Sequence, residues 1–158
     1  MGSGKTSIAK LIAKQTGYTF IDTDAWIEER EELSIPEIFD HYVEKYFRLL
    51  EKYCLQRITK LSGNYVIATG GGMSCNQHRL NLMLQKGKVI YLEIDAKSAI
   101  NRLSQAKQQR PLLDGLSPDE LEKKIKKLLE KRANYYTQAH HIVSSLEAKK
   151  LDWNQLVK

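Results

Sequence analysis

The chain opens on Met1-Gly2-Ser3-Gly4-Lys5-Thr6, the second half of a phosphate-binding loop of the form G-x-x-x-x-G-K-[ST] whose first glycine would precede Met1. Chemistry explains these residue types. Glycines let backbone N–H groups curl around phosphate oxygens, a lysine places charge at the β and γ phosphates, and a hydroxyl coordinates Mg2+. The residues that follow, Thr6 to Gln15, set Ile8, Leu11 and Ile12 on one face, with Gly17 just beyond. That spacing predicts an amphipathic helix whose positive N-terminal pole faces the phosphates. A flexible Gly/Ser start before an ordinary helix is the alternative these residues alone leave open.

Short apolar runs then alternate with helical patterns. Tyr18 to Ile21 reads as a buried parallel strand ending at Asp22-Thr23-Asp24, and Tyr65 to Ala68 as a second, ending at Thr69-Gly70-Gly71-Gly72. Lys88 to Glu93 reads as a third, and Ile142-Val143 as a short last strand. Ser34-Ile35-Pro36-Glu37 and Ser117-Pro118-Asp119-Glu120 are capping boxes that open helices. A longer helix is expected from about Tyr42 to Leu61, burying Phe47, Leu50, Cys54, Ile58 and Leu61, while Asn76 and Asp95 cap two more. The tail ends in a weak helix around Trp153. Strands alternating with helices predict a three-layer α/β/α fold with a parallel sheet, in one domain over residues 1–158. Ligands in such sheets bind at the carboxyl ends of the strands.

The formal net charge of +6 suits either nucleic acid or small anions. Lys123, Lys124, Lys126 and Lys127 surround Ile125 in a helical pattern and read as a solvated face. No aromatic-interleaved basic patch supports a nucleic-acid partner. The apolar runs are too short to span a membrane. Cys54 and Cys75 lack C-x-x-C spacing and are expected to be reduced thiols of a cytoplasmic protein.

Several residues gather at the predicted strand ends. Asp22 and Asp24 can divide two roles, one near Mg2+ and one at a substrate hydroxyl, or Asp24 can cap the helix that follows. Gly70-Gly71-Gly72 can offer N–H groups to an anion or simply make a turn. Arg48 and Glu51, three apart on one helix face, read by default as a surface pair. Arg110 lies in the polar stretch 104–116, where a mobile arginine near a phosphate site suggests a lid. Arg132, alone, is one basic residue among many.

Together these residues resemble the shikimate kinase family along nearly the whole chain. The resemblance is carried by GSGKT at Gly2–Thr6, DTD at Asp22–Asp24, FRxxE at Phe47–Glu51, TGGG at Thr69–Gly72, RPLL at Arg110–Leu113 and RxxxY at Arg132–Tyr136. It implies a nucleoside-monophosphate-kinase-like P-loop fold, with a substrate-binding helical region about 24–62 and a lid about 104–118. It implies transfer of the γ-phosphoryl of ATP to the 3-hydroxyl of shikimate, with Mg2+, in aromatic amino-acid (chorismate) biosynthesis. By position, Gly2, Ser3, Gly4, Lys5, Thr6 and Ser7 would bind ATP, with Lys5 at the β/γ phosphates. Thr6 would hold Mg2+ and Asp22 would reach it through water. Asp24 would take the shikimate hydroxyls and is the candidate base. Arg48 and Arg132 would clamp the substrate carboxylate with Gly70, Gly71 and Gly72, and Glu51 would hold Arg48. Arg110 would meet the transferring phosphate from the lid, and Arg102 resembles the arginine that stacks on adenine. A monomer is expected.

The family also carries a hydrophobic strand and a Gly-x-x ahead of Gly2, the strand lying between two others in the sheet. The expectation is therefore about ten further residues upstream in the functional polypeptide, one strand plus the start of the loop. A chain beginning at Met1 is expected to show a gap or rearrangement in the sheet and badly weakened ATP binding. After His141 the sequence lacks the family's proline-bearing adenine loop. The competing readings are another small-molecule P-loop kinase of gluconate type, and a non-catalytic binding protein derived from the kinase.

Overall fold

The computed structural model describes residues 2–104, Leu113 and residues 115–157. Arg110 and most of the expected lid lie outside the described residues. Helix α1 (Lys5–Thr16) leads into strand β1 (Thr19–Asp22), followed by α2 (Thr23–Glu31), α3 (Ile35–His41) and α4 (Glu44–Ile58). Strand β2 (Tyr65–Ala68), α5 (Gln77–Lys86), β3 (Ile90–Glu93), α6 (Ala96–Ser104), α7 (Pro118–Tyr136), β4 (His141–Ser144) and α8 (Trp153–Val157) complete the order.

Local chemistry sets many of these boundaries. Ser34 and Ser117 each accept from the N–H three residues on, while Glu37 and Glu120 return the bond to the serine N–H, so both capping boxes form. Asn76 caps α5 by accepting from the Arg79 N–H. Two expectations need correction. The residue that caps α2 is Asp22 and not Asp24: its Oδ1 accepts from the Asp24 and Ala25 N–H groups, because α2 starts directly on the last strand residue. Helix α4 is shorter than expected and stops at Ile58, where Thr59 turns its hydroxyl back onto the Leu55 carbonyl; Leu61 beyond it is exposed.

Among the described residues both strand pairs are parallel, as the alternation requires. β1 pairs with β2 from Thr19↔Tyr65 to Asp22↔Ala68, and β3 pairs with β4 from Ile90↔His141 to Glu93↔Ser144. Among the described residues the sheet is divided into these two ladders. A cavity of about 470 Å3 has Val66, Ile67 and Ala68 of β2 and Ile90, Tyr91 and Leu92 of β3 in its lining. This explains a departure from the sequence pattern. The apolar runs read as fully buried strands, yet Val66, Ile67, Ile90 and Tyr91 are only half-buried.

Three clusters of buried side chains make up the core among the described residues. Ile27, Ile38, Phe47, Leu50, Cys54 and Ile58 pack into one cluster beside β1 and β2. Ile8 and Ile12 of α1 join Leu92, Ala148 and Trp153 in a second, and Ile94, Ala99 and Ile125 form a third between α6 and α7. Trp153 is fully buried and donates its ring N–H to the Ala148 carbonyl, so the weakly patterned C-terminal helix is anchored. Helix α1 touches β1, β2 and α8, and thereby links the two halves, which among the described residues share no ladder.

Candidate active site

The loop before α1 has the backbone expected of a phosphate cradle. Gly2 and Gly4 take left-handed conformations with φ of 71° and 82°, which glycine adopts without strain. Gly4 is the residue that opens α1, so the first N–H groups of the helix point out past the loop. Lys5, Thr6 and Ser7 stand in that first turn; Ser3 is buried and Thr6 and Ser7 are exposed. Arg102, from α6, donates to the Gly2 carbonyl at 3.2 Å, which places it against this loop.

Thr6 connects the loop to the end of β1. Its hydroxyl donates to Asp22 Oδ2 at 2.9 Å, while Asp22 Oδ1 accepts from the Asp24 N–H at 3.0 Å. One carboxylate therefore faces both the helix α1 terminus and the residue singled out as the candidate base. Thr23, fully buried, accepts from the Gly70 N–H at 3.1 Å and ties the end of β1 to the glycine triplet after β2.

The triplet itself measures how closely the remaining residues converge. A methyl group on Gly70 would sit 2.9 Å from Asp24 Oδ1 and 3.2 Å from Glu51 Oε1. On Gly71 it would sit 3.2 Å from Tyr136 Oη and 3.3 Å from Arg132 Nη1, and on Gly72 it would overlap the Arg48 guanidinium. Consecutive Cα atoms are about 3.8 Å apart, so Arg48 and Arg132 lie beside neighbouring residues of one loop. Two cations, 84 positions apart in sequence from 48 to 132, meet at one turn of the chain.

The pair read by default as surface, Arg48 and Glu51, is largely buried. Arg48 Nη1 meets Glu51 Oε2 at 2.9 Å, and its Nε and Nη2 meet Glu44 Oε1 at 3.1 and 2.7 Å. Glu51 is 1 % exposed, and its Oε1 is buried without a hydrogen-bond partner among the described residues. Burial pushes the Glu51 carboxyl above its ordinary value, and the attraction of Arg48 reverses this only in part. Arg132, also expected to be an exposed basic residue when taken alone, is 8 % exposed. One turn later on the same face of α7, Tyr136 donates to the Gly71 carbonyl at 2.7 Å and stacks on Tyr91 of β3 at 4.8 Å. Burial pushes the Tyr136 hydroxyl up to about 12 against the opposing charge of Arg132.

Two residues of this neighbourhood are missed by sequence reasoning. Tyr136 closes the RxxxY motif but receives no role there, and its one-turn spacing from Arg132 is the available signal. Arg79 gives no signal. Its guanidinium donates to the Met73, Gly72 and Arg48 carbonyls, and backbone acceptors have no signature in a sequence. The lysine-rich face of α7 matches its expectation: Lys123, Lys124, Lys126 and Lys127 are exposed around buried Ile125. Cys54 and Cys75 are free thiols, and burial raises that of Cys54 to about 12. Among the described residues, no helix is long and apolar enough to cross a membrane.

Known proteins resemble this chain closely. A family model described as Shikimate kinase matches residues 1–158. The shikimate kinase of Bacteroides thetaiotaomicron is 41% identical over 147 residues, which cover 93% of this chain and 83% of that one. A crystal structure of shikimate kinase from the same species superposes with a TM-score of 0.89 at 37% identity, covering 99% of this chain and 91% of that chain. The shikimate kinase of Acinetobacter baumannii, solved in complex with shikimate, gives a TM-score of 0.86 at 31% identity, covering 99% and 86%.

Proposed function

This chain belongs to the shikimate kinase family of ATP-dependent phosphotransferases, with the P-loop kinase fold, and from that premise we propose how its own residues carry the transfer of the γ-phosphoryl of ATP to the 3-hydroxyl of shikimate. The observation that carries the assignment is the placement of Arg48 and Arg132 against adjacent glycines. Two guanidinium forks converging on one loop suit a carboxylate, which each can meet with charge-assisted bonds of roughly 1.5–3 kcal/mol. The family match sets aside the gluconate-type alternative.

Asp24 lies at the opposite end of the triplet, beside Gly70. A ring held by its carboxylate at Gly71 and Gly72 would thus present hydroxyls to Asp24, which accepts a proton as the hydroxyl attacks. Gly2, Ser3, Gly4, Lys5, Thr6 and Ser7 cradle the phosphates at the α1 terminus, with Lys5 supplying charge at the β and γ positions. Arg102 stands by the nucleotide through its bond to the Gly2 carbonyl, and Arg110 belongs to the same reading as the lid arginine.

The oxygen pair of Thr6 and Asp22, 2.9 Å apart at a helix N-terminus, fits Mg2+. That hard cation is held by one or two protein oxygens plus substrate phosphates, and no larger metal-binding cluster occurs among the described residues. When bound, Mg2+ neutralises charge on the β and γ oxygens. Beyond the charge of Lys5 and the proton taken by Asp24, the contribution of the chain is positioning: it aligns hydroxyl and phosphate. The same reading makes the protein a cytoplasmic monomer acting on small molecules and not on nucleic acid.

A coupled assay of ADP release, run with and without shikimate, tests the proposal. Shikimate-dependent ADP formation that needs Mg2+ is expected. Hydrolysis indifferent to shikimate would overturn it.

A further inference from the structure

Arg79 belongs to none of the motifs that carry the family resemblance, yet it joins two of the elements that those motifs occupy. Its Nε donates to the Met73 carbonyl at 2.7 Å and its Nη2 to the Gly72 carbonyl at 3.4 Å, both in the loop after β2. Its Nη1 donates to the Arg48 carbonyl at 3.3 Å, on the second turn of α4. Its Nη2 also lies 3.9 Å from Glu51 Oε2, the oxygen that Arg48 grips from the other side. We propose that Arg79 is a positioning residue for the acceptor site, fixing the glycine triplet against the helix that carries Arg48 and Glu51. This rests on the reading of Arg48 and Arg132 as the carboxylate clamp.

The geometry supports a role beyond packing. A guanidinium is planar, with donors in a rigid fork, so bonding three carbonyls fixes their relative positions; an ammonium would not hold the same set in one plane. The root of the side chain is fixed as well. The Arg79 N–H is bound by Asn76 Oδ1 at 3.2 Å, and the adjacent Leu80 is fully buried. There is no slack between loop and helix, since a methyl on Gly72 already meets Arg48 Cζ at 2.9 Å. A small retreat of the triplet would therefore change the gap in which the clamp works. The positive charge of Arg79 also opposes the effect of burial on the Glu51 carboxyl, favouring the ionised form that pairs with Arg48.

Titration calorimetry with shikimate and, separately, with ATP on Arg79→Ala, Arg79→Lys and Arg132→Ala decides the matter. For Arg79→Ala we expect shikimate affinity to fall by about tenfold, with ATP affinity within about twofold of the unsubstituted chain. Arg79→Lys is expected between the two, with unchanged ATP binding; if Arg79→Ala does not fold, this variant alone carries the test. Unchanged shikimate affinity in the variant that folds overturns the proposal, as does an equal loss for both ligands, which would mark a general packing defect. If Arg132→Ala binds shikimate as tightly as the unsubstituted chain, the clamp reading itself has failed, a result distinguishable from a neutral Arg79.

Discussion

The two ends of the proposed site, one for the acceptor and one for the nucleotide, are built in opposite ways. At the acceptor end, Glu51, Thr23 and Arg132 are buried, and Arg48 and Arg79 are mostly enclosed, each set against a carboxylate, a carbonyl or a neighbouring glycine. At the nucleotide end, Gly4, Thr6 and Ser7 are exposed around the start of α1. The difference teaches what each end contributes. Recognition of a small rigid acid needs fixed donors, so its charges are locked inside the fold at a desolvation cost. A phosphate cradle relies on backbone N–H groups and a helix pole that exist whatever the side chains do. Substitutions at the acceptor end should therefore cost stability and affinity together, and those at the nucleotide end should cost turnover alone.

The sharpest test sets Lys5→Ala against Glu51→Ala. Lys5→Ala should lower turnover on the order of 10³-fold while shifting the urea midpoint by no more than about 0.5 kcal/mol equivalent. A large loss of stability would break the contrast. Glu51→Ala should cost about 3 kcal/mol in the same unfolding measurement, because it leaves Arg48 and Arg79 without their buried partner. Stability equal to the unsubstituted chain would show that the buried network does not hold the acceptor end.

A smaller effect is expected from Gly72→Ala. Its methyl would displace the Arg48 guanidinium, raising the KM for shikimate by about tenfold with little change for ATP, as one charge-assisted bond is lost. Equal change in both constants would blur the boundary between the two ends.

The smallest effect concerns Tyr136→Phe. Loss of its bond to the Gly71 carbonyl should cost about 1 kcal/mol at neutral pH. Alkaline pH gives a cleaner signature. The folded protein keeps the phenol protonated up to about 12, whereas the unfolded chain releases the proton near its ordinary value of 10.0. The folded state thus binds more protons in that window, and stability falls as pH rises through it. Urea unfolding between pH 9 and pH 12 should show a shallower decline for the phenylalanine variant, and an identical slope would remove Tyr136 from the account.

Much of this organisation is legible in the order of residues alone. Both capping boxes, the carboxyl ends of β1 and β2 and the Arg48–Glu51 spacing are local patterns, and each appears where its residues put it. What escapes the sequence is non-local or backbone-directed. Burial of Arg48 and Glu51 depends on α4 meeting the loop after β2, and that of Arg132 on α7 meeting the same loop, which no residue spacing reveals. Arg79 addresses carbonyls that every residue type possesses. Asp22 rather than Asp24 caps α2 because strand passes into helix without a linker, a boundary that differs by two residues from the expected one. The cavity between β2 and β3 leaves their apolar runs half-buried, although such runs ordinarily signal strands covered on both sides.

The proposed clamp draws one arginine from α4 and the other from α7, elements far apart in the chain. An acid bridging them would act as a removable rivet, added to the bond that Tyr136 already makes to the Gly71 carbonyl. Occupancy should then stiffen the molecule as a whole: the melting midpoint climbs with the logarithm of shikimate concentration, and amide protons of both ladders become slower to exchange in concert.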